Sequence, residues 1–142
     1  MFARLPTGHT GAMEPLEVSL HLDLSLLRGL RRDLATWLGK VGVPDEIRDE
    51  VILATHEAAA NAIEHADLDT EVTVRMLESD GKIIVHVLNR GQWRPPRSAE
   101  EMRGRGLSLI EQLMSDVDIQ ATRGCTMVRM LRELPQLASS SA

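Results

Sequence analysis

From Asp45 to Ala66 the chain passes through neither glycine nor proline, although it holds ten glycines and six prolines elsewhere. An uninterrupted run rich in alanine, following Pro44 and opening with Asp45 and Glu46, predicts one long helix whose positive end is matched by acids. Such a helix needs other elements to cover its apolar side, and the flanking sequence supplies them. Upstream, Leu16, Val18, Leu20, Leu22 and Leu24 alternate with Glu17, Ser19, His21 and Asp23, the period of a strand with one face on a core. Ser25 then stands where a cap belongs. Leu27, Leu30, Leu34, Trp37 and Leu38 recur at helical spacing until the glycines at 39 and 42. Downstream, Glu71 to Leu77 and Lys82 to Leu88 flank Ser79-Asp80-Gly81, where Asp-Gly signals a hairpin turn. A second hairpin is expected from Asp116 to Gln120 and Cys125 to Leu131 around Arg123-Gly124. A short helix from Leu107 to Met114 precedes it. Antiparallel strands with helices able to lie on one face make an α+β fold, a two-layer α/β sandwich, the economical architecture.

The 142 residues are the length of one ordinary domain. Residues 1–13, with Pro6, Gly8 and Gly11 and no apolar period, predict a flexible leader; residues 14–136 form the domain and residues 137–142 a flexible tail. The formal charge is -5. Apart from a small cluster around the glycines at 104 and 106, no basic stripe tracks a phosphate backbone, which argues against direct nucleic-acid binding. Phe2 and two tryptophans are the only aromatics, too few for stacking on bases. Cys125 is the single cysteine, so no internal disulfide can form; it is expected to be a small buried residue. No apolar run approaches the roughly 18 residues that span a bilayer, and nothing directs the chain out of the cytoplasm.

Three polar residues interrupt the alanine-rich helix. Glu57, Asn61 and His65 are each four apart, with about 40° of drift per step, so they project from nearly one face among small neighbours that permit close approach. His56-Glu57 resembles the start of a zinc-protease motif, but Ala60 stands where the second histidine would be required. His56 and His65 are expected to be structural or surface residues. Gly104-Arg105-Gly106 opens the short helix after a broken segment with Gly91, Pro95 and Pro96, which predicts a mobile loop of about a dozen residues, a length usually kept for function. Trp93 and the two prolines suit packing of such a lid. Glycines there let a backbone approach closely, and free N–H groups suit phosphate oxygens. Neither a P-loop nor a GxGxxG dinucleotide motif is present.

Taken in order, EAAANAIEHA from Glu57, NRGQWRPPR from Asn89, RGRGLSLIEQLMSDVDI from Arg103 and GCTMVRM from Gly124 resemble the Bergerat-fold ATP-binding domains. Among these the anti-sigma-factor serine/threonine kinases are the nearest branch. The resemblance covers roughly Leu16 to Leu134. It implies a mostly antiparallel sheet with helices on one face, and ATP and Mg²⁺ as cofactors. It assigns Mg²⁺ to Asn61, whose amide oxygen is a hard donor. Glu57, one turn earlier, takes the role of the catalytic carboxylate toward an attacking hydroxyl. Gly91, Gly104, Gly106 and Leu107 would border the nucleotide, Arg103 and Arg105 would pair with phosphates, and Thr126 would help to hold the adenine, directly or through water. Asn89 occupies the place of the family's adenine-reading Asp, and Gln92-Trp93 replaces a second glycine after Gly91. An Asn oxygen can accept the adenine amino hydrogen without charge, provided that neighbours fix its orientation. The implied partners are a sigma factor and an anti-sigma-factor antagonist, and a homodimer is compatible with the resemblance. The implied activity is phosphorylation of that antagonist. A nucleotide-gated module that sequesters a regulator without transferring phosphate is the alternative. The catalytic half of a histidine kinase fits less well, because no phosphoacceptor helix pair accompanies the motifs.

Overall fold

The computed structural model describes residues 14–21, 23–64, 71–90, 107–122 and 125–135. Five strands, β1 (Leu16–Leu20), β2 (Glu71–Ser79), β3 (Lys82–Arg90), β4 (Asp116–Thr122) and β5 (Cys125–Glu133), form one sheet in the order β1-β2-β3-β5-β4. Every neighbouring pair is antiparallel. Helices α1 (Leu27–Val41), α2 (Asp45–Glu64) and α3 (Ser108–Leu113) pack against it and against each other, α2 lying over β2 and β3. This is the expected α+β sandwich.

Local chemistry explains most of the elements. Asp80 and Gly81 both have positive φ, 56° and 73°, the left-handed pair that matches the twist of a two-residue hairpin. Gly42, at φ 94°, ends α1, and the N–H groups of Gly42 and Val43 both return to the Leu38 carbonyl at 3.1 Å. The five apolar residues read on α1 are all buried, and Val51, Ala54, Ala58, Ala59 and Ile63 form the matching face of α2. Across the sheet the inner residues stand in register, as in Val18, Val74, Val87, Val128 and Ile119. The Trp37 indole N–H donates to the Glu14 carbonyl at 2.8 Å, tying α1 to the chain before β1.

Three local expectations are corrected. The leucine alternation does not carry the strand to Leu24: β1 stops at Leu20, and Leu24 begins a single 3₁₀ turn, 50% exposed. Asp23, not Ser25, is the capping side chain, its Oδ1 accepting from the Ser25 N–H at 2.9 Å, whereas α1 itself starts with no side-chain cap. The Asp23 carboxylate at the strand exit wins because it reaches the backbone N–H two residues on, as an Asx turn does. Cys125 is half-buried instead of buried, because it stands at the first position of β5.

On the sheet face turned away from the inner row, Glu17, Arg75, His86, Arg129 and Asp118 are register partners across all five strands. Partial burial lowers the His86 pKa below the ordinary 6.5, and the neighbouring Arg129 and Arg75 add to that shift. The unfolded imidazole therefore binds its proton more tightly than the folded one. As pH falls through 6.5 the unfolded state takes up more protons, so stability drops over that window. His86→Gln, neutral throughout, is expected to flatten the loss. Urea midpoints of both proteins above and below that pH check it, and parallel pH profiles would contradict it.

Candidate functional site

One row of the inner sheet face departs from the apolar rule. Leu20, Val72, Asn89, Thr126 and Ala121 are aligned partners on β1, β2, β3, β5 and β4. Asn89 and Thr126 are buried there, 3% and 4% exposed, directly opposite one another. Buried polar groups are normally hydrogen-bonded, since an unmade bond costs about 1–3 kcal/mol. Yet the Asn89 Oδ1 and Thr126 Oγ1 atoms have no hydrogen-bond partner among the described residues. Two adjacent buried oxygens left unpaired at the same end of the sheet, an amide acceptor and a hydroxyl that can accept or donate, mark a place where a ligand or solvent supplies the partners.

The orientation of Asn89 is decided by α2. Its Nδ2 donates to the Ala62 carbonyl in a long bond of 3.4 Å. A carbonyl can only accept, so the amide nitrogen must face α2 and the oxygen must face the other way. Asn89 thus presents an acceptor, not a donor. Ala62 directly follows Asn61, so the same contact brings the last turns of α2 to the polar row.

Asn61 is half-buried and already engaged in a polar interaction. Glu57, one turn earlier, is also half-buried, its side chain 32% exposed and its Oε2 3.9 Å from the His56 Nδ1. Ala58 and Ala59 between them are buried, so Glu57 and Asn61 line the flank of α2 and not its core face. His56 is partly covered. Leu107, half-buried, leads into α3, which packs on α2. The structure therefore brings Asn89, Thr126 and the Ala62 backbone together, with Asn61 next in the chain. Gly91, Arg103, Gly104, Arg105, Gly106 and His65, and the expected lid over residues 92–103, lie outside the described residues. Among the described residues no three His, Cys, Asp or Glu side chains could jointly hold a metal ion. A cation here would depend on amide and ligand oxygens.

A profile of the histidine kinase-like ATPase domain matches residues 20–132. The chain belongs to the histidine kinase-like ATPase family. The RsbU and RsbW domains of Rv1364c from Mycobacterium tuberculosis superpose on this ATPase domain with a TM-score of 0.71 and 25% identity, over 86% of this chain and 33% of that one. The blue-light activated histidine kinase EL346 of Erythrobacter litoralis gives 0.56 and 23%, over 67% and 33%. The catalytic domain of the histidine kinase ThkA gives 0.53 and 16%, over 86% and 97%. The chain thus spans about a third of the first two structures. The fold and the histidine kinase-like ATPase family expected from the motifs are both borne out, and a structure that contains an RsbW domain is among those similar to this chain. No described helix of this ATPase domain is long and apolar enough to cross a membrane.

Two features escaped the sequence. The Ala62 carbonyl has no side-chain signal at all. Thr55 is fully buried on α2 and its Oγ1 also lacks a partner among the described residues, so a third polar atom is sequestered beneath the helix. Its spacing from Val51 and Ala59 placed it on the buried face, and that signal was available.

Proposed function

We propose that this domain binds ATP with Mg²⁺ and acts as a serine/threonine protein kinase on an anti-sigma-factor antagonist, within a partner-switching pathway that also engages a sigma factor. The supporting observation is the pair of buried, unpartnered oxygens of Asn89 and Thr126, in a family of ATPase domains. An adenine carries an exocyclic amino group, and the Asn89 oxygen, turned outward by the Ala62 carbonyl, is the acceptor that such a donor requires. Thr126 can both accept and donate, so it serves the base directly or through water. Mg²⁺, when bound, supplies charge that neutralises phosphate oxygens, with Asn61 as its protein ligand. Glu57 holds the acceptor hydroxyl and takes its proton. Gly91, Gly104, Gly106 and Leu107 border the nucleotide, and Arg103 and Arg105 pair with its phosphates. The RsbW neighbour supports an antagonist and a sigma factor as partners over a histidine-bearing one. Residues 14–136 make up the working unit, in the cytoplasm.

Transfer of labelled phosphate from ATP to candidate antagonists is the deciding experiment. Asn89 in the place of an Asp favours one rival, a module in which ATP strengthens the hold on a regulator and no phosphate moves. ATP-dependent binding without transfer would select it.

Base choice tests the site on its own. The outward oxygen should favour adenine over guanine, whose keto group at that position would meet an acceptor with an acceptor. Asn89→Leu is expected to weaken ATP about tenfold or more while leaving GTP, already weak, unchanged, the usual result when one side of a buried polar contact is lost. Calorimetry with both nucleotides checks this. An equal loss for both would remove Asn89 from the base.

A further inference from the structure

At the end of the sheet far from the Asn89 and Thr126 pair, the inner face carries an arginine. Thr126, Val128, Met130 and Arg132 succeed one another on that face of β5, and the first and last stand about 20 Å apart at 3.3–3.4 Å per residue. Arg132 is the register partner of the fully buried Ile83, and its side chain is only 20% exposed. Its Nη1 donates to the Glu50 Oε1 on α2 at 2.6 Å and to the carbonyl of Leu113, the last residue of α3, at 2.7 Å. One guanidinium thus joins β5, α2 and α3. The carbonyl that it meets belongs to the last turn of a helix, where such groups lack an intrahelical partner and attract positive charge. The chain just beyond is bound to β5 twice more. The Ser115 N–H donates to the Leu131 carbonyl at 2.7 Å, and the Ser115 Oγ accepts from the Glu133 N–H at 2.9 Å.

α3 depends on such fixing. It has six residues, begins after Leu107 without a side-chain cap, and Ile110 is its one buried residue. A helix this short is unstable by itself, so its placement is set by what holds its ends. At 1.5 Å per residue α3 is about 9 Å long, and a tilt of roughly 10° about its clasped end moves Leu107 by about 1.5 Å. The other arm of the clasp reaches the helix that carries the site: Glu50 precedes Glu57 by two turns, on nearly the same side of α2. An ion pair with one partner 44% exposed adds little stability, so what the arrangement supplies is geometry. We propose that Arg132 is a positioning residue: by clasping Glu50 and the Leu113 carbonyl it fixes α3 against α2 and so sets where Leu107 borders the nucleotide. The inference deepens the proposed function and rests on its nucleotide site. In that site the sheet itself holds the adenine, at Asn89 and Thr126, so a misplaced α3 costs contacts to the rest of the nucleotide and spares the base.

Calorimetry on the full chain, with ATP plus Mg²⁺ and separately with adenosine, reads the difference. Arg132→Gln is expected to weaken ATP about tenfold, since a misplacement near 1 Å has effects of that order or larger, and to leave adenosine within about twofold of the parent. Hydrogen exchange at the amides of residues 108–113 should speed up in the same variant. Glu50→Gln breaks the ion pair and keeps the bond to Leu113, so a smaller loss in the same direction is expected. With both substitutions the loss should match that of Arg132→Gln alone, as for one shared interaction. Should Arg132→Gln not fold, Glu50→Gln carries the comparison of ATP with adenosine. The proposal is overturned if the variants bind ATP like the parent, if ATP and adenosine weaken in step, if exchange in α3 is unchanged, or if the two losses simply add. The two claims separate cleanly. A parent that binds neither ATP nor adenosine sinks the nucleotide reading and this role with it, whereas a parent and an Arg132→Gln variant that bind both alike sink the positioning role alone.

Discussion

Replacing Asn61 by alanine is expected to abolish Mg²⁺-dependent ATP binding while the fold stays intact. Asn61 lies on the flank of α2, half-buried, between Ala60 and Ala62, so the substitution adds one more strong helix former to a run of them and opens no cavity in the core. Helix stability should hold or improve. What disappears is an amide oxygen next to the Ala62 carbonyl that turns Asn89, close enough in the chain that a nucleotide held by its base at Asn89 and Thr126 would carry its phosphates toward this flank. Losing a residue that merely supports a metal ligand usually costs 10–100-fold in metal affinity, so loss of the ligand itself should cost about 100-fold or more. Calorimetry with ATP in the presence and absence of Mg²⁺ reads this directly. With the metal chelated, parent and variant should bind the nucleotide alike. Equal affinity with Mg²⁺ present would show that Asn61 does not hold the ion.

The second large effect concerns Glu57. A carboxylate one helical turn from Asn61 can accept the proton of an incoming hydroxyl. A glutamine keeps the shape and loses the basicity. Glu57→Gln should therefore bind ATP nearly as tightly as the parent and transfer phosphate to an antagonist slower by about 10² or more, the lower end for a general base. Glu57 is half-buried and, among the described residues, its Oε2 lies 3.9 Å from the partly covered His56 Nδ1, so the substitution removes no buried ion pair and should leave the melting temperature in place. A variant that loses ATP affinity in step with transfer would assign Glu57 a structural role. Should the parent itself transfer nothing while ATP tightens its hold on a sigma factor, the nucleotide-gated module becomes the function, and Asn89→Asp is the variant to test for recovered transfer.

Much of this protein could be read from spacing alone, and the reason is that the relevant rules are local. The absence of glycine and proline from Asp45 to Ala66 made α2, the leucine period made the buried face of α1, and Asp80-Gly81 closed the β2–β3 hairpin because both residues tolerate positive φ. The same local rules failed where two of them competed. The leucine alternation predicted strand as far as Leu24, but the Asp23 side chain captured the Ser25 N–H and bent the chain into a turn. The identity of the site residues was also legible, as an ordered set of motifs, but their arrangement was not. Asn89 and Thr126 become partners only because β5 inserts between β3 and β4, a pairing set by burial of Val87, Val128 and their neighbours across the whole sheet. The Asn89 amide is turned by a backbone carbonyl from another element, which no side-chain pattern encodes. Periodicity and turn chemistry act within a few residues, so the sequence by itself determined the elements and their order. The tertiary structure alone decided which polar atoms of the described residues are buried without partners, because burial and pairing depend on residues that meet only when the chain has closed on itself.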